Sequence, residues 1–156
     1  MELITTMLAA PGEESVSALL DDDSTVFWVD WREDDADIVS YCEGLLQTGS
    51  LASEWVNANT PVGVDLYISH KGKRLRVPLV IGPEDRHITL CALNEVLAPD
   101  FEVRFCIDSN GNDTLAFLPL PTAKWKELES TYGETVDSHF HKLTKSPNVF
   151  TDELPY

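Results

Sequence analysis

The chain has 156 residues, 43% of them apolar, with 27 acidic and 11 basic side chains and a formal net charge of −16. That length and apolar content suit one domain with a core of its own and argue against a disordered chain. The charge disfavours nucleic acid and anionic membrane surfaces as partners, and speeds encounter with basic ones.

The acidity is uneven. Residues 1–60 carry thirteen acids and one base (Arg32), residues 61–80 one acid and four bases, and residues 81–156 thirteen acids and six bases. The N-terminal concentration suggests an acidic face; charge for solubility alone is the plainer alternative. The opening "MELITTMLAAPGEE" lacks a basic stretch ahead of its short apolar run, so it does not read as a signal peptide. No stretch approaches the roughly 18 apolar residues of a membrane span. Cys42, Cys91 and Cys106 are an odd count without CxxC spacing. Reduced thiols in a cytoplasmic protein are the expectation.

In chain order, "PGEESVSALLDDD" predicts a short helix and "TVFWVDW" (25–31) a strand. "EDDADIVSYCEGLLQTG" predicts a helix with Ile38, Val39, Cys42, Leu45 and Leu46 on one stripe and Gly49 at its stop. "SLASEWVNANTP" reads as a further turn or two of helix ending before Pro61. Two strands joined at "HKGK" follow, with Val64, Leu66, Ile68 and Leu75, Val77, Leu79 facing inward. A helix stopped near Pro99 comes next, with Ile88, Leu90, Cys91, Leu93, Val96 and Leu97 inward. A second hairpin then turns at "SNGN". A helix capped by Thr122, a weaker helix around 134–144 and a loosely ordered tail (146–156) complete the chain.

A shift of 39 residues aligns Gly72 with Gly111, Leu66 with Phe105, Ile68 with Ile107 and Leu79 with Leu118. Both hairpins precede a helix, so a ββα-ββα repeat is possible. The expected fold is a single α+β domain over 1–156, with an acidic α-β-α part (1–60) and a ββαββα part (61–145). Its sheet would be mainly antiparallel, of about five strands, with helices on one face.

Sites of chemistry are sparse. "DSNGND" (108–113) is similar to a calcium loop, but Asp113 stands where that loop needs Gly and Pro119 where it needs Glu. Asn110-Gly111 reads as a turn instead. His139 and His141 would share a face only on a strand; on the expected helix they diverge and hold no zinc. His70 and His87 have no partner nearby in sequence. There is no G-x-S-x-G and no Gly-rich phosphate loop. The reading is therefore a non-enzyme with no catalytic residues, metal or cofactor. The basic island Lys71, Lys73, Arg74 and Arg76 is expected to pair internally or to guard a sheet edge.

The stretch "STVFWVDWREDDAD" (24–37) concentrates aromatic and acidic residues. Asp34, Asp35 and Asp37 fall at the start of the expected helix, where carboxylates accept free backbone N–H groups and meet the helix dipole. Asp21–Asp23, Asp30, Trp28 and Trp31 exceed that need. Tryptophan supplies anchor area at interfaces, and flanking carboxylates accept Arg or Lys from a partner. The candidate partner-binding set is Asp21, Asp22, Asp23, Trp28, Asp30, Trp31, Glu33, Asp34 and Asp35.

On the Trp28–Asp37 segment and Asp21–Asp23, the chain resembles bacterial immunity proteins that neutralise toxins of contact-dependent or type VI systems. That resemblance implies a cytoplasmic inhibitor presenting Asp and Glu to a basic, nuclease-type toxin domain. Residues 62–144 also resemble acidic type III secretion chaperones in strand-pair, helix, strand-pair, helix order, from which the extra strand and helix of residues 1–60 depart. That second resemblance implies an adaptor that binds an extended segment of a secreted effector. The expected partner in either case is a protein, neither nucleic acid nor membrane; the oligomeric state has no signature in the sequence.

Overall fold

A computed structural model describes residues 1–156. The elements are helices α1 (Glu2–Ala9), α2 (Glu13–Leu20), α3 (Asp35–Leu46), α4 (Asp85–Leu97), α5 (Thr122–Tyr132) and α6 (Glu134–His139). The strands are β1 (Phe27–Asp30), β2 (Ala52–Asn57), β3 (Val64–His70), β4 (Lys73–Arg76), β5 (Phe101–Cys106), β6 (Thr114–Pro121) and β7 (Phe140–Lys142). The α+β class and antiparallel pairing are as the sequence suggests.

The sheet itself differs from expectation. Seven strands form two sheets, β1-β6-β5-β7 and β2-β3-β4. Alternation gives the four-stranded sheet a core on each face. Phe27, Val29, Val103, Phe105, Leu115 and Phe117 join one cluster with α3, α4 and β3 residues. Ala116, Leu118, Leu120 and Cys106 join the other, with Ile4, Met7 and Leu8 of α1 and Trp125 and Leu128 of α5. Helices thus cover both faces, not one, and α3 and α4 touch strands of both sheets. Apolar residues in α4 are buried on more than one side, as a helix between two sheets requires.

Local departures have local causes. Residues 52–57 are a strand, because α3 ends at Gln47 in the left-handed region (φ 52°). The Glu43 carboxylate then accepts the Thr48 and Gly49 N–H groups, turning the chain toward β3. Helix α1 has no counterpart in the sequence reading; Ile4, Met7 and Leu8 form its buried stripe. Thr122 is the first helical residue of α5 and makes no side-chain cap bond. The expected helix at 134–144 stops at His139 and becomes β7, pairing Phe140 with Cys106.

The two hairpins do each precede a helix, but they lie in different sheets. Ile107 falls in a 3-10 turn and Leu79 beyond β4, outside the strand positions the 39-residue match requires. The tail is not loose. Val149 and Leu154 are buried, and Phe150 stacks on Phe117 at 6.0 Å between ring centroids. No helix is long and apolar enough to cross a membrane.

Candidate functional site

The acidic stretch folds into turns that consume much of it. Asp22 accepts hydrogen bonds from the Ser24 hydroxyl (2.8 Å) and from Thr25, which hold its carboxyl below the usual range. Asp30 accepts the Arg32 N–H (2.8 Å) and pairs with its guanidinium (3.2 Å), again lowering the carboxyl. Asp34 caps α3 by accepting the Ala36 N–H at 2.9 Å. Glu33 accepts the Tyr41 hydroxyl at 2.9 Å, and that bond raises the phenol.

Asp35 is the clearest correction. Instead of offering its charge to a partner, it is 6% exposed. It takes both prongs of Arg86 at 2.9 and 3.0 Å and the Thr89 hydroxyl at 2.8 Å. Burial pushes its carboxyl up, against the opposing pull of Thr89 and Arg86. The pair ties α3 to α4.

The two tryptophans separate. Trp28 donates its indole N–H to the Leu20 carbonyl (3.1 Å) and lines a groove of about 500 Å³ between β1 and α3. Asp23, Val26, Ser40, Tyr41 and Leu45 line it too. Trp31, 44% exposed, instead borders a hollow beside Asp113 and Asp152, with the Arg32 guanidinium over its ring. Tyr41 is the member that the sequence reading missed. Its spacing of four from Asp37 on a helix was the available signal, and the Asp37 charge does act on its phenol.

Most carboxylates of residues 1–60 lack a close cation. Of the thirteen carboxylates in residues 1–60, only Asp30, Asp35 and Glu54 have a cation within 4.0 Å. Asp21 closes α2 at its C-cap and, with Asp23, is exposed. Asp37 is exposed in the first turn of α3. None of these three carboxylates has an intramolecular cation.

The basic island is spent elsewhere. Lys71 pairs with Asp100 (2.9 Å), Arg74 with Glu54 (3.6 Å) and Arg76 with Asp65 (3.7 Å), while Lys73 donates to the Ala98 carbonyl. Three of the four lie on β4, an edge strand, where charge discourages further pairing.

Among the histidines, His139 pairs with Asp108 (2.7 Å), while the His141 ring meets Tyr156 edge-on at 5.8 Å between centroids. His70 meets Ser50 Oγ at 2.8 Å through Nδ1, and its Nε2 lies 3.8 Å from Asp100. His87 and Cys91, one helical turn apart, border a second groove of about 500 Å³ with Sγ and Nε2 at 3.4 Å. The Val149 N–H donates to His87 Nδ1 (3.3 Å), so the ring proton sits on Nε2 and donates to the Thr144 carbonyl at 2.6 Å. Nε2 therefore has no lone pair for the Cys91 proton. Burial pushes that thiol up to about 11, the reverse of an activated nucleophile. No three His, Cys, Asp or Glu side chains cluster as a metal site.

No protein-family model, curated protein or solved structure matches this chain.

Proposed function

We propose that the protein is a stoichiometric inhibitor, of the immunity-protein kind, that binds a cognate basic toxin domain and neutralises it in the bacterial cytoplasm. One observation carries this reading: ten of the thirteen carboxylates in residues 1–60 have no cation within 4.0 Å. They include Asp23, which lines the groove walled by Trp28 and Tyr41, Asp37, whose charge acts on Tyr41, and the exposed Asp21 at the end of α2. A nuclease-type active site is basic because it binds phosphate, so such a face can occupy it by charge and aromatic contact.

The test begins with a pull-down from the native cell, and binding and inhibition are then measured with the basic toxin domain that it captures. A one-to-one complex that loses about a hundredfold in affinity in the Asp21→Lys, Asp23→Lys, Asp37→Lys triple variant is the expected outcome, several close charge pairs being lost. Unchanged affinity with an intact circular dichroism spectrum would discard the reading.

A second reading, a secretion chaperone or adaptor for an extended client, is favoured by the edge position of β1 beside the groove. Client binding that survives high salt would favour it, because screening weakens exposed charge contacts.

A further inference from the structure

The geometry points to the occupant of the β1–α3 groove: an extended, arginine-bearing segment of the basic partner. The segment pairs with the open edge of β1 at Trp28 and lays its guanidinium against Trp28 and Tyr41. This inference rests on the reading of the partner as a basic protein and names the element that it inserts.

The edge comes first. β1 pairs only with β6, in the register Phe27↔Phe117 to Asp30↔Thr114. One step beyond, the Trp31 N–H donates to the Asp113 carbonyl at 3.3 Å. Hydrogen-bonded and non-bonded positions alternate along an antiparallel pair, so Val29 and Phe27 also bond inward. The N–H and C=O of Trp28 therefore point away from β6. Its cross-strand partner Ala116 agrees, since its N–H turns toward the other side of β6 to donate to Ser109 Oγ (2.9 Å).

Much of the rest of this edge is satisfied by the chain itself. The Val26 N–H donates to the Asp22 carbonyl (3.1 Å), and the Asp30 carbonyl accepts the Glu33 N–H (2.9 Å). The Asp30 N–H meets the Glu33 carboxylate at 3.4 Å. Trp28 and the Val26 carbonyl are left open, which suits two or three main-chain bonds to an extended segment and is too short for sheet-to-sheet aggregation.

The groove walls then select the side chain. Trp28 and Tyr41 offer aromatic surface, Tyr41 at 38% exposure, and Asp23 brings a carboxylate with no intramolecular cation. Asp37 adds charge beside Tyr41. A planar guanidinium stacks on aromatic faces and bonds carboxylates with two prongs, which an ammonium group does not. A second copy of this chain is a poor occupant. Each copy carries −16, and the only base in residues 1–60, Arg32, is held by Asp30.

The probe is the peptide Ac-Thr-Val-Arg-Val-Thr-NH2, its citrulline analogue and single N-methylated versions, followed by amide NMR titration of the full chain at low salt. Expected are shifts centred on Trp28, Tyr41 and Asp23, and at least tenfold weaker binding of the citrulline peptide. A similar loss is expected in Tyr41→Ala and Asp23→Asn, and from N-methylation at one peptide position. Equal binding of the arginine and citrulline peptides, or no binding at millimolar peptide, overturns the inference. So does a footprint on another acidic surface, and in that case the inhibitor reading survives through the charge-reversal test above. Loss of sensitivity to charge in both experiments overturns both.

Discussion

Asp35 and Arg86 meet in a two-pronged pair at 2.9 and 3.0 Å that joins the start of α3 to the start of α4. Arg86 also donates to the Trp31 carbonyl (3.1 Å), so one guanidinium fixes both helices and the end of β1. The groove above depends on that junction, because its two walls are β1 and α3. Replacing Asp35 with Ala leaves a largely buried guanidinium with only the more distant Asp85 carboxylate at 3.7 Å, at a cost of about 3 kcal/mol. Urea denaturation measures it. The double variant Asp35→Leu, Arg86→Met should recover only part of the loss, because the buried Asp85 then loses the cation 3.7 Å away and keeps only the N–H groups of Val80, Ile81 and Gly82.

Stability should fall on mild acidification, through His87. Burial lowers the proton affinity of this ring, which accepts the Val149 N–H and donates to Thr144. The folded chain then binds fewer protons than the unfolded one, so stability is lost as pH drops below about 6.5. Asp152, whose charge favours the protonated ring, and His141, whose charge opposes it, modulate the size of the effect. A second proton would sit on Nδ1 and face the Val149 N–H, so the tail should loosen first. The protection factor of the Val149 amide, its exchange rate relative to that of an unstructured amide at the same pH, should fall from pH 7.5 to 5 in the wild type and fall much less in His87→Gln.

Cys91 should be a slow nucleophile despite its histidine neighbour. With its thiol pushed up to about 11, alkylation should rise about tenfold per pH unit between pH 7 and 10, following the thiolate fraction. Mass spectrometry of iodoacetamide-treated protein reads the rate at each cysteine. A Cys91 rate that levels off above pH 7 would mean an activated thiol and a misassigned His87 tautomer. Cys42 and Cys106, both buried, should react only after unfolding.

The tail should act as part of the core. Leu154 is 8% exposed and belongs to the same cluster as Phe117 and Val149. Leu154→Ala should cost about 2–3 kcal/mol, near the low end for a buried leucine because the site lies at the core margin. Thermal unfolding of this variant beside wild type decides it; a cost near zero would mean that the tail contributes little to stability.

Much of the fold class is legible in residue patterns. Period-two runs such as "VDLYISH" and the apolar stripe Ile38, Val39, Cys42 specify strand and helix locally, since both depend on which side chains share a face. The start of α3 is equally local: Asp34 needs only its neighbour Ala36 to act as a cap. Residues 52–57 escaped this logic because β2 exists through its pairing with β3, and its own burial pattern alternates poorly. Division into two sheets is likewise a matter of which strands find each other across α3 and α4.

The candidate site divides along the same line. The amount of acid, its bias toward residues 1–60 and its aromatic neighbours are properties of the residue order alone. Which carboxylates remain available depends on folding. Asp35 is consumed by Arg86, fifty-one positions away, and Trp31 is carried to a different hollow from Trp28. Tyr41 enters the groove only because α3 lies against β1. Charge and local turns act between neighbours in sequence, whereas burial, ion pairing and the walls of a groove depend on chain segments that meet only after folding.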